Sequence, residues 1–251
     1  MTNILGYWET KMKVCKSAFT LAEVLITLGI IGIVSALTLP SIINHFKVKQ
    51  LESAFKTADA LIQQAIQKSV NEIGYDSIND FNRASSWDNA PFEEVKQLVP
   101  DLNEAYLKQF KIIKKLDPKI NELYYKNAMC HNMFGETLSS YNGCYYSTGT
   151  PYIISNGMLV STFTATKTGA SHPVLVETMF DTNGPFKGPN RIGYDIFTYK
   201  SHEWLTMCNP TLQNSNNTSH CYYYAHRNLN PIDSSKPYWD ILYKPLSYWK
   251  K

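Results

Sequence analysis

An uninterrupted apolar run from Val24 to Leu39, with one carboxylate just ahead of it, constrains this chain more than any other feature. The run has 16 residues, about 24 Å of helix at 1.5 Å per residue. Phe19 to Ala22 extend it towards the roughly 30 Å of a bilayer's apolar core. From Phe19 to Asn44 the only charged side chain is Glu23. A carboxylate in a membrane-grade helix costs about 2.5–3.5 kcal/mol on insertion scales, and an ordinary anchor has no reason to keep it. Lys11, Lys13 and Lys16 precede the run and hold residues 1–18 on the cytoplasmic side. A cleaved secretory signal needs a small-x-small site after the apolar core, and Ser35-Ala36-Leu37 and Thr38-Leu39-Pro40 are poor ones. A plain uncleaved anchor leaves Glu23 without a purpose.

A basic leader, a small residue, then Phe19-Thr20-Leu21-Ala22-Glu23 and the apolar run together resemble the type IV pilin family, including the pseudopilins of type II secretion. The resemblance covers residues 11–45. Where most members have Gly before the cleavage point, this chain has Ala18, the nearest small substitute. The resemblance implies cleavage between Ala18 and Phe19 and N-methylation of Phe19 by a prepilin leader peptidase/methyltransferase. It implies a 1–18 leader, a 19–43 half-helix that spans the inner membrane and then joins a filament core, and an exported 44–251 head. The implied partners are other pilin or pseudopilin subunits, the inner-membrane assembly machinery and the lipid bilayer. Glu23 would be the register device, neutralising the α-amine of Phe19 on a neighbouring subunit, because a buried charge must be paired.

Charge and cysteine usage narrow the classes further. The leader holds three lysines and one glutamate, so its loss takes the formal charge from +3 to +1. That is no electrostatic footprint for nucleic acid. Cleavage also removes Cys15 and leaves Cys130, Cys144, Cys208 and Cys221, an even set suited to an oxidising compartment. Three connectivities are open. Cys130–Cys144 with Cys208–Cys221 is favoured because short loops close at low entropic cost. A zinc site aided by His131 and His220 is the alternative, but no Cys-x-x-Cys spacing supports it.

Beyond Pro40, which should kink or locally unwind the helix, Leu51, Phe55, Ala58, Ile62, Ala65, Ile66 and Ile73 recur at three- and four-residue steps. Charged and amide side chains fall mostly on the other side, the pattern of an amphipathic helix with one buried stripe. Gly74 is a glycine stop. Residues 75–90 read as a loop, Pro91 to Val99 as a short helix, and Asp101 with Glu104 as the capped start of another through about Lys115, with Lys111, Lys114 and Lys115 on a solvated face. A further helical turn or two is expected before Met129. Asn156-Gly157 between two β-rich runs signals a hairpin of residues 152–155 and 158–163. Further strands are expected at Pro173–Phe180 and Ile192–Tyr199, with 200–251 irregular and Tyr222-Tyr223-Tyr224 suited to strand surfaces. The fold class is therefore α+β: a long N-terminal helix, apolar then amphipathic, packed against an antiparallel sheet.

One loop holds a density of function-like residues. Asp181, Asn183 and Asp195, with nearby carbonyls, offer the hard oxygen donors of a calcium site. Against that, Lys187 and Arg191 would repel a cation, and the distal Glu of an EF-hand is missing. The competing reading is a turn-rich connection in which Asp195 pairs with Arg191 or caps backbone amides. No other cofactor is indicated. Nothing in the sequence assembles a nucleophile, base and orienter: there is no Gly-x-Ser-x-Gly, His-Glu-x-x-His or phosphate loop. The expectation is a structural, filament-forming subunit and not an enzyme. A single-pass membrane-anchored binding protein or adhesin is the rival.

Overall fold

The structure is a computed structural model that describes residues 20–84, 92–116, 131, 149–166, 175–201 and 218–243. It divides into two compact units, residues 1–44 and 45–251. Helix α1 (Leu21–Glu72) runs 52 residues and passes through Pro40 without a break. The local unwinding expected at Pro40 is therefore absent: one missing donor is a small loss in a helix this long.

In the first unit every described side chain is exposed. The hydroxyls of Thr27 and Thr38 donate back to the carbonyls of Val24 and Val34, both at 2.9 Å, so neither asks for water. The segment is long and apolar enough to cross a membrane.

The second unit begins where α1 becomes one-sided. Val48, Phe55, Ala58, Ile62, Ala65, Ile66, Ser69 and Val70 are buried. Leu51 and Ile73 are half-buried against the same core. The helix stops as the sequence indicates. Gly74 takes φ +92°, Tyr75 N–H donates to Val70 at 2.9 Å, and Gly74 N–H donates to Asn71 at 3.1 Å. That is a Schellman arrangement, closed by the one residue without a Cβ penalty.

The head differs from expectation at several connections. Residues 75–90 contain a short helix, α2 (Ile78–Ala84), opened by Ser77 and Asp80, whose side chains bond at 2.6 Å. The two helices expected between Pro91 and Lys115 are one, α3 (Phe92–Lys108), which carries Pro100 inside it. Asp101 and Glu104 are thus interior to the helix, and Glu104 pairs with Lys108 one turn on at 3.0 Å. Ile112–Lys115 is a strand, β1, with all four side chains exposed. Its β-branched pair and edge lysines suit a strand at a sheet border better than a helix end. The helical turn expected before Met129 lies outside the described residues.

The sheet is otherwise a meander of antiparallel neighbours. Strands β2 (Pro151–Ile154) and β3 (Leu159–Ser161) form the expected hairpin, with Ile153 opposite Leu159. Its turn is a three-residue loop: Gly157 N–H donates to Ile154 at 2.8 Å, and only Gly157, at φ +85°, enters the left-handed region. β5 (Leu175–Asp181) pairs along one edge with β3 and with β4 (Thr164–Thr166), and along the other with β6 (Ile196–Lys200). Between β3 and β4 the register slips by one residue, a bulge where Asn103 of α3 holds both the N–H and the carbonyl of Phe163. Residues 193–195 form a turn, so the last strand starts later than Ile192.

Helix α4 (Thr218–His226) and a 3₁₀ helix (Tyr238–Tyr243) lie in the region expected to be irregular, and the Tyr222–Tyr224 run is helical, not strand. Tertiary packing overrides the β propensity of tyrosine here. Tyr222 is buried against Phe55 (6.1 Å between ring centroids) and Phe180 (5.9 Å). Phe55 is the hub of this core, 4.5 Å from Phe197 and 5.5 Å from Trp239. Phe55→Ala should destabilise the head by about 3–5 kcal/mol, since the cavity touches helix, sheet and the 3₁₀ turn at once. Urea unfolding of the detergent-solubilised chain, followed by tryptophan fluorescence, measures it.

Candidate functional site

Two places bring the sequence-selected residues together. The first is the start of α1. Thr20 N–H and Thr20 Oγ1 both donate to Glu23 Oε2 at 2.8 Å, and Glu23 N–H donates to Thr20 Oγ1 at 3.2 Å. This is a capping box, two orphan donors of the helix terminus satisfied reciprocally. The Thr-x-x-Glu spacing is its signature in the sequence. Ala18 and Phe19 lie outside the described residues.

The second place is the connection from β5 to β6, which contains Asp181, Asn183 and Asp195. Thr182 N–H donates to the Asp195 carbonyl at 2.8 Å and closes the loop's base. Asp181 Oδ1 accepts the N–H groups of Asn183 (3.1 Å) and Gly184 (2.9 Å). Asp195 Oδ1 accepts Arg191 N–H (2.6 Å), and its Oδ2 accepts Asn190 N–H (2.8 Å) and approaches Asn183 Nδ2 at 3.4 Å. Asn190 Nδ2 donates across the loop to the Pro185 carbonyl at 3.1 Å. A Cβ on Gly184, at φ +82°, would stand 2.1 Å from the Gly157 carbonyl oxygen, so only glycine lets the two turns touch.

Electrostatics follow from this burial. Desolvation pushes the Asp195 carboxyl up to about 6, while the amides of Arg191 and Asn190 pull the other way. Arg191 lies over the Tyr194 ring at 4.0 Å, and burial lowers its pKa. Its backbone amide binds the Asp195 carboxylate, the amide capping expected of a turn-rich connection.

The three proposed calcium ligands therefore share one loop, but both carboxylates already serve four backbone amides and Asn183 turns its nitrogen towards Asp195. Among the described residues no three of His, Cys, Asp and Glu converge as metal ligands. The side-chain oxygens of Asn183 and Asn190 are buried with no hydrogen-bond partner.

The remaining candidates are dispersed. Cys221 is disulfide-bonded, while Cys130, Cys144 and Cys208 lie outside the described residues, as does the side chain of His220. His131 contributes backbone, donating to Asn190 at 3.0 Å and accepting from Ile192 at 3.1 Å. A cluster absent from the sequence reading joins α1 to α4: Tyr222 donates to Asp59 at 2.6 Å, and His226 Nδ1 lies 2.8 Å from Asp59. Burial and the Asp59 charge hold the Tyr222 phenol well above its usual range. Separations of more than 150 residues left no local signal for it.

No family model, curated protein or solved structure matches this chain.

The loop yields two measurable outcomes. Asp181→Ala should cost about 1–3 kcal/mol, because it strands backbone amides in a buried site. Calcium and chelator should give the wild type the same melting temperature; a calcium-dependent rise would reverse the assignment of the carboxylates. Asp195 sets a pH dependence. Its folded pKa of about 6 exceeds an unfolded value near 3.9, so the native state binds the proton more tightly. Its contribution is most favourable below about pH 4, declines as pH rises to 6, and amounts to about 3 kcal/mol at most. Asp195→Asn should flatten the stability profile in that window, read by denaturant midpoints at stepped pH.

Proposed function

We propose that this chain is a filament subunit similar to type IV pilins and the pseudopilins of type II secretion. It would enter the inner membrane through residues 19–43 with its head exported, lose its leader between Ala18 and Phe19, and assemble through α1. The observation that carries this reading is the fully exposed apolar half of α1, from Leu21 to Asn44, with Glu23 as its one charge. Such a surface needs lipid first and partner helices later. In a filament core Glu23 would exchange its cap for the Phe19 amine of a neighbour, an ion pair that sets the axial register.

A second reading, a single-pass anchored binding protein, is favoured by the capping box itself. With its carboxylate bound to Thr20, Glu23 has a purpose inside one chain. The mature N-terminus separates the two. Mass spectrometry of protein from the native host should find Phe19, methylated, at the N-terminus; an intact Met1 would sink the filament reading. Glu23→Ala should insert into membranes at least as well as wild type. It should lose filaments, since a buried unpaired amine costs about 3–5 kcal/mol per contact. Normal filament yield from this variant would show that the register is set elsewhere.

A further inference from the structure

The first unit ends at Asn44, and the second begins with His45. The peptide bond between them keeps their Cα atoms about 3.8 Å apart, so His45 stands at the end of the apolar segment by covalent geometry alone. A distant part of the head meets it there. Tyr243, the last residue of the 3₁₀ helix, stacks on His45 with ring centroids 5.4 Å apart and planes 18° apart. One turn on, Lys49 donates to Glu52 at 2.9 Å, and that bond, then more weakly the charges of Tyr243 and Asp240, raises its pKa. The residues that follow Tyr243 in sequence therefore start beside His45.

Two stretches of similar composition are brought together in this way. Residues 45–51 carry Phe46, which is 69% exposed, with Lys47 and Lys49. The other stretch is Lys244-Pro245-Leu246-Ser247-Tyr248-Trp249-Lys250-Lys251. Neither contains an acid; the nearest in sequence are Glu52 and Asp240. Glu52 is engaged by Lys49 and Lys56, whereas Lys47 has no ion-pair partner among the described residues. Tyrosine and tryptophan rings settle at the headgroup level of a bilayer, and lysines beside them reach the phosphates. Trp249 follows Tyr243 by six residues, a reach of at most about 21 Å, so it stays near the end of the apolar segment.

We propose that residues 45–49 and 244–251 form a collar that binds anionic phospholipid headgroups at the membrane surface where residues 19–43 emerge. The partner is a lipid surface because the collar is tethered to the end of a segment long and apolar enough to cross a bilayer. Its chemistry agrees: cations gain from a negatively charged leaflet, and the aromatic rings among them would be wasted on a soluble anion. The proposal rests on residues 19–43 being a membrane span, which both functional readings above share.

Tryptophan quenching in the full-length chain, reconstituted in vesicles, tests it. The quencher is lipid brominated on the acyl chain near the headgroup. The emission that disappears in Trp249→Phe isolates this ring from the other tryptophans. In vesicles of brominated phosphatidylglycerol that emission should fall about twofold or more, as for a ring at the interface. Salt at about 1 M, which shortens screening to about 3 Å, should restore most of it. Lys47→Gln combined with Lys250→Gln and Lys251→Gln should do the same. Equal quenching in brominated phosphatidylcholine would overturn the anionic headgroup as partner. Unquenched Trp249 in a chain that resists carbonate extraction would overturn the collar and leave the span standing. A chain released from the vesicles by carbonate would remove the span, and the collar with it.

Discussion

The buried stripe of α1 centred on Phe55 is the interaction on which the head depends. Strands β5 and β6, helix α4 and the 3₁₀ turn each send an aromatic side chain to that ring: Phe180, Phe197, Tyr222 and Trp239. Aromatic pairs at offset or edge geometry add about 0.5–1.5 kcal/mol each beyond the area they bury. The helix is therefore a spine in the energetic sense. Without it, the inward side chains of the sheet, among them Phe180, Ile196 and Phe197, would lose the surface they pack on.

That dependence explains which parts of the fold were legible. Periodicity showed the stripe of α1 because burial there is one-sided and long, and Gly74 marked its end by a conformation only glycine takes cheaply. The Asn156-Gly157 hairpin was legible for the same local reason. The two helices expected between Pro91 and Lys115 are one because Leu102, Ala105 and Tyr106 bury enough to carry α3 through Pro100. The tyrosine run misled because its helix is imposed from outside, by Phe55, by Asp59 and by the disulfide at Cys221. Neither the partners nor the distances between them leave a trace in a short window.

The candidate sites divide in the same way. Asp181, Asn183 and Asp195 were recognisable as residues that belong together, because turn chemistry and calcium chemistry use the same short oxygen-bearing side chains. Composition cannot say which way those oxygens point. The structure turns both carboxylates onto backbone amides, so the loop is closed by charge-assisted hydrogen bonds of its own. The cost of burying two carboxylates is offset by the four backbone amides that bind them.

Glu23 poses the remaining physical question, and magnitudes decide it. A capping box contributes about 1 kcal/mol to a helix end, whereas a carboxylate in apolar surroundings costs about 2.5–3.5 kcal/mol. The cap alone therefore does not repay the charge, and serine, asparagine or aspartate at position 20 would cap the helix without any acid at 23. The deficit vanishes only where a cation neutralises the carboxylate. Within the apolar segment the chain supplies none: no lysine, arginine or histidine occurs between Phe19 and Asn44. In an uncleaved chain Lys16 or Lys13 of the leader would have to reach it; in the proposed filament the α-amine of a cleaved neighbour would. In the proposed filament of cleaved chains each Glu23 would meet such an amine, while the Thr20 cap holds its carboxylate at the end of the helix.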